Sequence, residues 1–271
     1  MIDNSYRWIG ELKKVTIDEY EFTHSDDFFF MKGYLVGKRN SPTVYYRRID
    51  TVGGVRFETN KRLMSSEVAH YKEKLSCKSV NRAKWREIQR RKRRVLKNIS
   101  KCTAKGFLPA DFVKETLDSL RNHLDFKTTK DPYTDVVVTG QYGEPMRSKA
   151  ENAIADGATI NRIHYNYEPE YRLIGATEAD GYYDVIVRPD FDIFTKHFGV
   201  VHLEFFGMAN DPDYMRRAEE KLEKYHQNGF IMGKNLVCMA ALSSQSLNVR
   251  KISRVLKDIY NGLVPRSVVY V

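Results

Sequence analysis

The sequence predicts an α/β protein of the α+β kind, in which a small antiparallel meander and a long basic helix precede a domain of alternating helices and strands. Three observations carry this reading. Residues 28–59 hold short runs rich in Tyr, Phe and Val separated by turn residues, the pattern of a meander. Residues 61–101 contain neither Gly nor Pro and repeat apolar residues at helical spacing. From residue 148 onward, amphipathic segments alternate with short apolar ones, which is how helices and buried strands read.

Within the first part, Phe28–Met31 and Tyr34–Val36 read as strands, followed by Thr43–Ile49 and Val55–Thr59, with turns at 37–42 and around Gly53-Gly54. Met64, Val68, Tyr71 and Leu75, then Trp85, Ile88, Val95 and Ile99, mark one long helix or two joined near Ser76–Ser79. Pro109-Ala110-Asp111 opens another helix over 107–124. Residues 125–147 are polar and irregular and are read as a boundary, giving a β module at 1–60, a basic helical segment at 61–130 and an α/β domain at 131–271. That domain is expected to run helix from Ser148, extended segment at 163–169, two strands at 188–193 and 200–207, helix from Pro212, strand at 235–242 and helix at 249–259. Asp211 precedes Pro212 as an N-cap, and Gly229 ends the helix.

The chain has 271 residues, 42% hydrophobic and 30% charged, the profile of a soluble globular protein. No apolar run of 18 residues is present, so no membrane association is expected. There is no basic leader followed by an apolar stretch, and the three cysteines stand at no metal-type spacing. These features point to a reducing, cytoplasmic location.

Charge is distributed unevenly. Residues 61–105 hold 16 Lys or Arg against 3 acids, so this segment exceeds the whole chain's net +10 and the remainder is net negative. Such an asymmetry suits a polyanionic partner. The run Arg90, Arg91, Lys92, Arg93 and Arg94 is the candidate for phosphate contact, because consecutive like charges repel on a helix and phosphate would relieve the repulsion. A solvated basic face is the alternative. In the meander, Tyr45, Tyr46, Arg47 and Arg48 form either a stacking and phosphate surface or one side of a sheet packed on the next helix.

The chemistry is carried by acids. Asp190 and Glu204 lie on neighbouring apolar runs joined by a loop at 195–199, short enough for a hairpin. Two carboxylates brought together there would repel and would require a cation or a proton. Glu151 is the third acid. It stands three residues after Ser148, which is also the spacing of a capping box.

The ordered pieces Ser148-Lys149-Ala150-Glu151, Pro189-Asp190-Phe191, Glu204-Phe205-Phe206-Gly207-Met208 and Asp211-Pro212-Asp213-Tyr214 resemble the PD-(D/E)XK nuclease-like superfamily. The resemblance is nearest to a bacterial subgroup with these motifs, and covers residues 140–260 well and the front half loosely. It implies a restriction-endonuclease-like fold, a mixed sheet flanked by helices, and a Mg²⁺-dependent (or Mn²⁺-dependent) DNA endonuclease. It also implies Asp190 and Glu204 as metal ligands, with Glu151 binding the metal through water or positioning the nucleophile. The superfamily's lysine, two residues after the last acid, is replaced by Phe206, and Phe205 stands where the subgroup has histidine.

A substitute lysine can be sought by helix geometry. At 100° per residue, with Tyr214 as zero, Ala218, Leu222 and Tyr225 fall between about +20° and +80°, and Lys221 falls at about −20°. Lys221 therefore shares the apolar stripe, either as a lysine near the acids or as a side chain that reaches out to solvent. Lys149 is the second candidate. His202 shares a strand face with Glu204 and is either a site residue or a core histidine. The expectation is a metal-dependent DNA endonuclease. The alternatives are a non-catalytic nucleic-acid-binding protein with a decayed nuclease site and a structural module whose acids are capped or paired.

Overall fold

Eight helices and twelve strands follow one another along the described chain: α1 (Ser5–Thr23), α2 (Asp26–Met31), β1 (Gly33–Gly37), β2 (Val44–Val52), β3 (Val55–Leu63), α3 (Ser65–Ser76), α4 (Lys78–Ala104), α5 (Ala110–Thr129), β4 (Val138–Thr139), β5 (Pro145–Met146), α6 (Lys149–Ile160), β6 (Tyr165–Tyr167), β7 (Tyr171–Thr177), β8 (Gly181–Val187), β9 (Phe191–Phe194), β10 (Val200–Phe206), α7 (Pro212–Gln227), β11 (Leu236–Ala240), α8 (Val249–Tyr260) and β12 (Val269–Tyr270). This computed structural model describes residues 5–37, 42–52, 55–129, 138–177, 181–242 and 247–271. The expected turns at 38–41 and 53–54, and the junction at 130–131, lie outside the described residues. Among the described residues no helix is long and apolar enough to cross a membrane.

Packing groups Met1–Lys14 with Asn98–Val271 in one unit and Val15–Lys97 in another. This differs from a division at residues 60 and 130, because α1 and α4 each contribute residues to both units.

In the unit of residues 15–97, β1, β2 and β3 form the expected antiparallel meander in that order. Its start is corrected: Phe28–Met31 belongs to α2, not to a strand. A short run that is apolar throughout carries no period to separate helix from strand. The acids Asp26 and Asp27 in its first turn favour the helix, since carboxylates interact well with a helix N-terminus. The core here is Phe30, Tyr46, Leu63 and Tyr71, with Val68 and Leu75 of α3 packed against it. The basic stretch is two helices, α3 ending at a Cys77 cap and α4 beginning at Lys78.

In the other unit, a five-stranded mixed sheet has the order β12-β11-β10-β9-β6. β10, β11 and β12 run parallel, and β9 is antiparallel to both β10 and β6. Ile154, Ala155 and Ala158 of α6 and Ile252, Val255, Leu256 and Ile259 of α8 cover one face together with Leu203, Val237 and Met239 of the sheet. Ala218 and Tyr225 of α7 cover the other with Phe206, Leu236, Cys238 and Ala240. Gly157 lets α6 and α8 approach closely, for a Cβ there would stand 3.1 Å from Leu256 Cδ1. Gly229, at φ +82°, takes the chain out of α7 in a conformation that suits glycine.

The strands β7 and β8, in a stretch for which the sequence pattern assigned no element, pair antiparallel.

The sheet's dependence on α8 is testable. Leu256→Ala is expected to destabilise the protein by about 2–5 kcal/mol, the range for emptying a fully buried leucine site. Urea unfolding would check this, with Leu263→Ala, at an exposed position, shifting the midpoint little.

Candidate active site

The pairing of β9 with β10 builds the site. His202 stands opposite Asp192, and Leu203 opposite Phe191. Continuing that register by one residue sets Glu204 opposite Asp190, which immediately precedes β9. Alternation along each strand puts Asp190, Asp192, His202 and Glu204 on the face that α7 covers. Phe191, Ile193 and Leu203 point into the opposite core.

Both acids are buried, Asp190 at 8% and Glu204 at 4% exposure. Asp190 Oδ2 accepts a 2.7 Å hydrogen bond from the Phe205 amide, which locks the carboxylate onto the neighbouring strand. Burial, and then the Glu204 charge, push the Asp190 pKa well above the ordinary range; Glu151 adds to the rise and Lys221 opposes it. Glu204 is also pushed up by burial, against the opposing pull of Lys221 and Tyr225.

Lys221 comes from α7 to this pair. Its ammonium forms an ion pair with Glu204 Oε1 and a 3.4 Å hydrogen bond to the Arg188 carbonyl. One turn further on, Tyr225 donates to Glu204 Oε2 at 3.1 Å. Lys221 is 35% exposed on its side chain, so it lies between the acids and solvent. Phe206, at the position where the resemblance implies lysine, is 3% exposed and packs in the apolar cluster beneath α7. Lys149 is exposed on the first turn of α6.

Glu151 takes part in the N-cap of α6. Its amide donates to Ser148 Oγ at 3.1 Å, the N-cap bond of α6. Its carboxylate Oε2 accepts from the Arg147 amide at 2.9 Å and from the Tyr167 hydroxyl at 2.5 Å. It is close enough to Asp190 to raise that residue's pKa.

Three further residues at this place escape a sequence reading. The Arg147 guanidinium forms an ion pair with Glu168 Oε1, and His123 Nδ1 lies 2.9 Å from Glu168 Oε2. Glu168 has φ +45°, uncommon for a residue with a side chain, while its amide donates to the Asp190 carbonyl at 3.0 Å. Burial works against the Arg147 charge, but Glu168, Tyr167, Glu151 and Asp190 more than offset it and raise its pKa. The only sequence signal for Arg147 is its position beside the Ser148 cap. His123 carried none, since it arrives by long-range packing of α5.

Among the described residues no three Asp, Glu, His or Cys side chains are grouped as a ready metal centre. The Asp190–Glu204 pair nevertheless fits a hard divalent cation: its donors are carboxylate oxygens, and burial beside another negative charge is relieved by a cation. Glu151, turned to Tyr167, is one step removed from that pair. His202 is not part of it. Its Nδ1 lies 2.7 Å from Asp192 Oδ1, Tyr171 donates to Asp192 Oδ2 at 2.5 Å, and the imidazole packs against the Phe230 ring.

The residues expected to meet nucleic acid are not one surface. Arg91 pairs with Asp18 at 2.6 Å and Lys92 pairs with Glu19, both acids on α1. Arg90 pairs with Glu87 one turn back, while Arg93 and Arg94 are exposed. In the meander, strand alternation separates the two arginines. Arg47 bridges to Glu58 on β3 at 2.9 Å, whereas Arg48 binds Asp50 at 2.6 Å and stacks on Phe29. Tyr46 is 1% exposed in the core, so a stacking role for it is ruled out by burial. Comparison of the chain with protein-family models, with curated proteins and with solved structures finds no match.

The raised Asp190 pKa has a signed consequence for the metal-free protein. The folded chain holds a proton at Asp190 where the unfolded chain has lost it, so the stability contribution is full below about pH 4 and is lost as pH rises through the folded pKa. Asp190→Asn is therefore expected to leave stability nearly unchanged at the acid end and to raise it at pH 7, with a gain in Tm on the order of 2–4 °C per kcal/mol. A pH series of thermal melts in EDTA checks this; a variant less stable than wild type at pH 7 contradicts it.

Lys221→Met is expected to cost about 2 kcal/mol, below the roughly 3–5 kcal/mol of a fully buried pair because Lys221 is partly exposed. Lys221→Met with Glu204→Gln should recover part of that stability, since Glu204 is then no longer a buried charge without its partner. Denaturant unfolding of the single and double variants gives the coupling.

Proposed function

We propose that this chain is a metal-dependent phosphodiester hydrolase acting on nucleic acid, DNA being the substrate that the sequence resemblance implies. The observation that carries the reading is the buried Asp190–Glu204 pair with the Lys221 ammonium seated on it. An idle pair of buried carboxylates costs stability, and a lysine drawn inward from α7 adds a charge that an apolar contact would not need. The mixed sheet with helices on both faces agrees with the architecture that the resemblance implies.

Asp190 and Glu204 would hold Mg²⁺ or Mn²⁺, which when bound supplies a water of lowered pKa and stabilises charge on phosphoryl oxygens. The chain's own groups do the rest. The Phe205 amide fixes the Asp190 carboxylate in one orientation. Lys221, partly exposed beside the acids, places positive charge where the phosphoryl group gains negative charge. Arg147, half-exposed and aimed by Glu168, offers a second cation to the approaching phosphate. Glu151, held by Tyr167 and the Arg147 amide, keeps a carboxylate near Asp190 to orient water.

One observation favours the second reading, a nucleic-acid-binding protein whose site has decayed. Glu151 is engaged by Tyr167 and the Arg147 amide. Cleavage separates the two. With Mg²⁺ or Mn²⁺, the protein is expected to cut single-stranded, duplex or branched DNA, Asp190→Ala to abolish cutting, and Lys221→Met to lower it by roughly 10²-fold, the scale of removing one charge-stabilising donor. Lys221→Met cutting at the wild-type rate would remove lysine from the mechanism. No cutting of any form with either metal would favour the decayed site.

A further inference from the structure

α4 carries cations on two sides, some paired with acids of α1 and others, including Arg90 with its neighbour Glu87, on the solvent side. Taking Arg82 as zero and 100° per residue, Arg93, Arg86, Lys97, Arg90 and Arg94 fall at about +20°, +40°, +60°, +80° and +120°. All six are exposed. The buried positions Asn81, Ile88 and Val95 fall on the opposite side, between about −100° and −140°. Lys92, at about −80°, and Arg91, at about 180°, lie off the exposed arc. These are the two cations that α1 neutralises through Glu19 and Asp18. The acids of α1 thus pair with Arg91 and Lys92, which flank the packed side of the helix. A continuous basic stripe, about 22 Å long at 1.5 Å per residue, faces solvent.

We infer that this stripe, Arg82, Arg86, Arg90, Arg93, Arg94 and Lys97, is a docking surface for the phosphate backbone of duplex nucleic acid. Charge complementarity names the partner. A duplex carries one negative charge per about 1.7 Å of axis, enough to face every cation along the stripe. All but Lys97 are Arg, whose planar guanidinium matches phosphate oxygens in a two-point contact. The arc holds no aromatic side chain on which unpaired bases could stack, which favours a duplex over a single strand. A membrane-surface helix would keep its apolar face for lipid, whereas Ile88 and Val95 are buried in protein. Contacts of this kind set affinity and position, not sequence preference. The inference shares with the proposed function the choice of nucleic acid as partner, and stands whether or not the acids cleave it.

The test uses the full chain, a labelled duplex of about 30 base pairs, long enough to span the stripe several times over, and EDTA so that no cutting occurs. Binding is measured as a function of salt. Arg86→Gln, Arg90→Gln, Arg93→Gln and Lys97→Gln together should weaken binding and flatten the slope of log K against log salt by about 3.6, at about 0.9 for each phosphate no longer neutralised. These positions are exposed, so Tm should hold. Arg91→Gln with Lys92→Gln should do the reverse, lowering Tm while keeping the slope. Equal slopes in the wild type and the four-residue variant would overturn the inference. So would a slope that flattens in the Arg91/Lys92 variant instead, or capture by phosphatidylserine vesicles without binding to the duplex. Because binding is read in EDTA, a failure here and a failure to cleave are separate results.

Discussion

Two carboxylates buried against each other on adjacent strands are the constraint around which this protein is arranged. Asp190 and Glu204 sit where backbone pairing forces them together, out of water, on the face under α7. Neither can be ionised there without help, which is why burial pushes both pKa values up. The surrounding chain supplies part of the help. One amide, one ammonium and one phenol are aimed at the pair from β10 and α7. The arrangement is under-compensated, with two acids against one lysine, and that imbalance is what the proposed divalent cation would relieve.

The neighbouring strand is held with comparable care. β6 pairs with β9 beside Asp190 and carries Tyr167, which presents its hydroxyl to Glu151. Behind β6, Lys13 and Glu144 form a buried ion pair at 2.9 Å, with Lys13 also donating to the Tyr165 carbonyl and the Tyr165 hydroxyl donating to Glu144. Such a network is stable only when every member is satisfied, so it fixes β6 in one place. Past the end of β6, Glu168 takes a left-handed backbone conformation that turns its carboxylate to Arg147 and His123. Backbone strain of this sort persists where the surroundings over-determine it.

How much of this was legible in the sequence depends on the range of the interaction. The caps were readable because they are local: Ser148 on α6, and Asp211 with Pro212 on α7. The hairpin of Asp190 and Glu204 was readable because a short loop at 195–199 leaves few registers. The helical angle of Lys221 set it on the inward stripe of α7 but left open whether it met the acids or solvent; it pairs with Glu204 while staying partly exposed. The first helices were not, because α2 is too short to show a period and charged residues interrupt the apolar positions of α1. The run Arg90–Arg94 misled as a unit, since a helix distributes consecutive residues around its whole circumference and Arg91 and Lys92 met acids from α1. Arg147, Glu168 and His123 meet through packing of α5, β6 and the start of α6, which no local pattern encodes.

In the proposed reading Asp190 and Glu204 form a cation site and not merely a buried polar defect. Calorimetric titration of Mn²⁺ into the wild type and into Asp190→Asn tests it most directly. The substitution keeps the shape of the side chain and its acceptor for the Phe205 amide while removing one charge. The expected result is saturable binding by the wild type, weakened at least tenfold in Asp190→Asn, about 1.4 kcal/mol. Equal Mn²⁺ affinity in the two proteins, or no binding to either, would contradict the account.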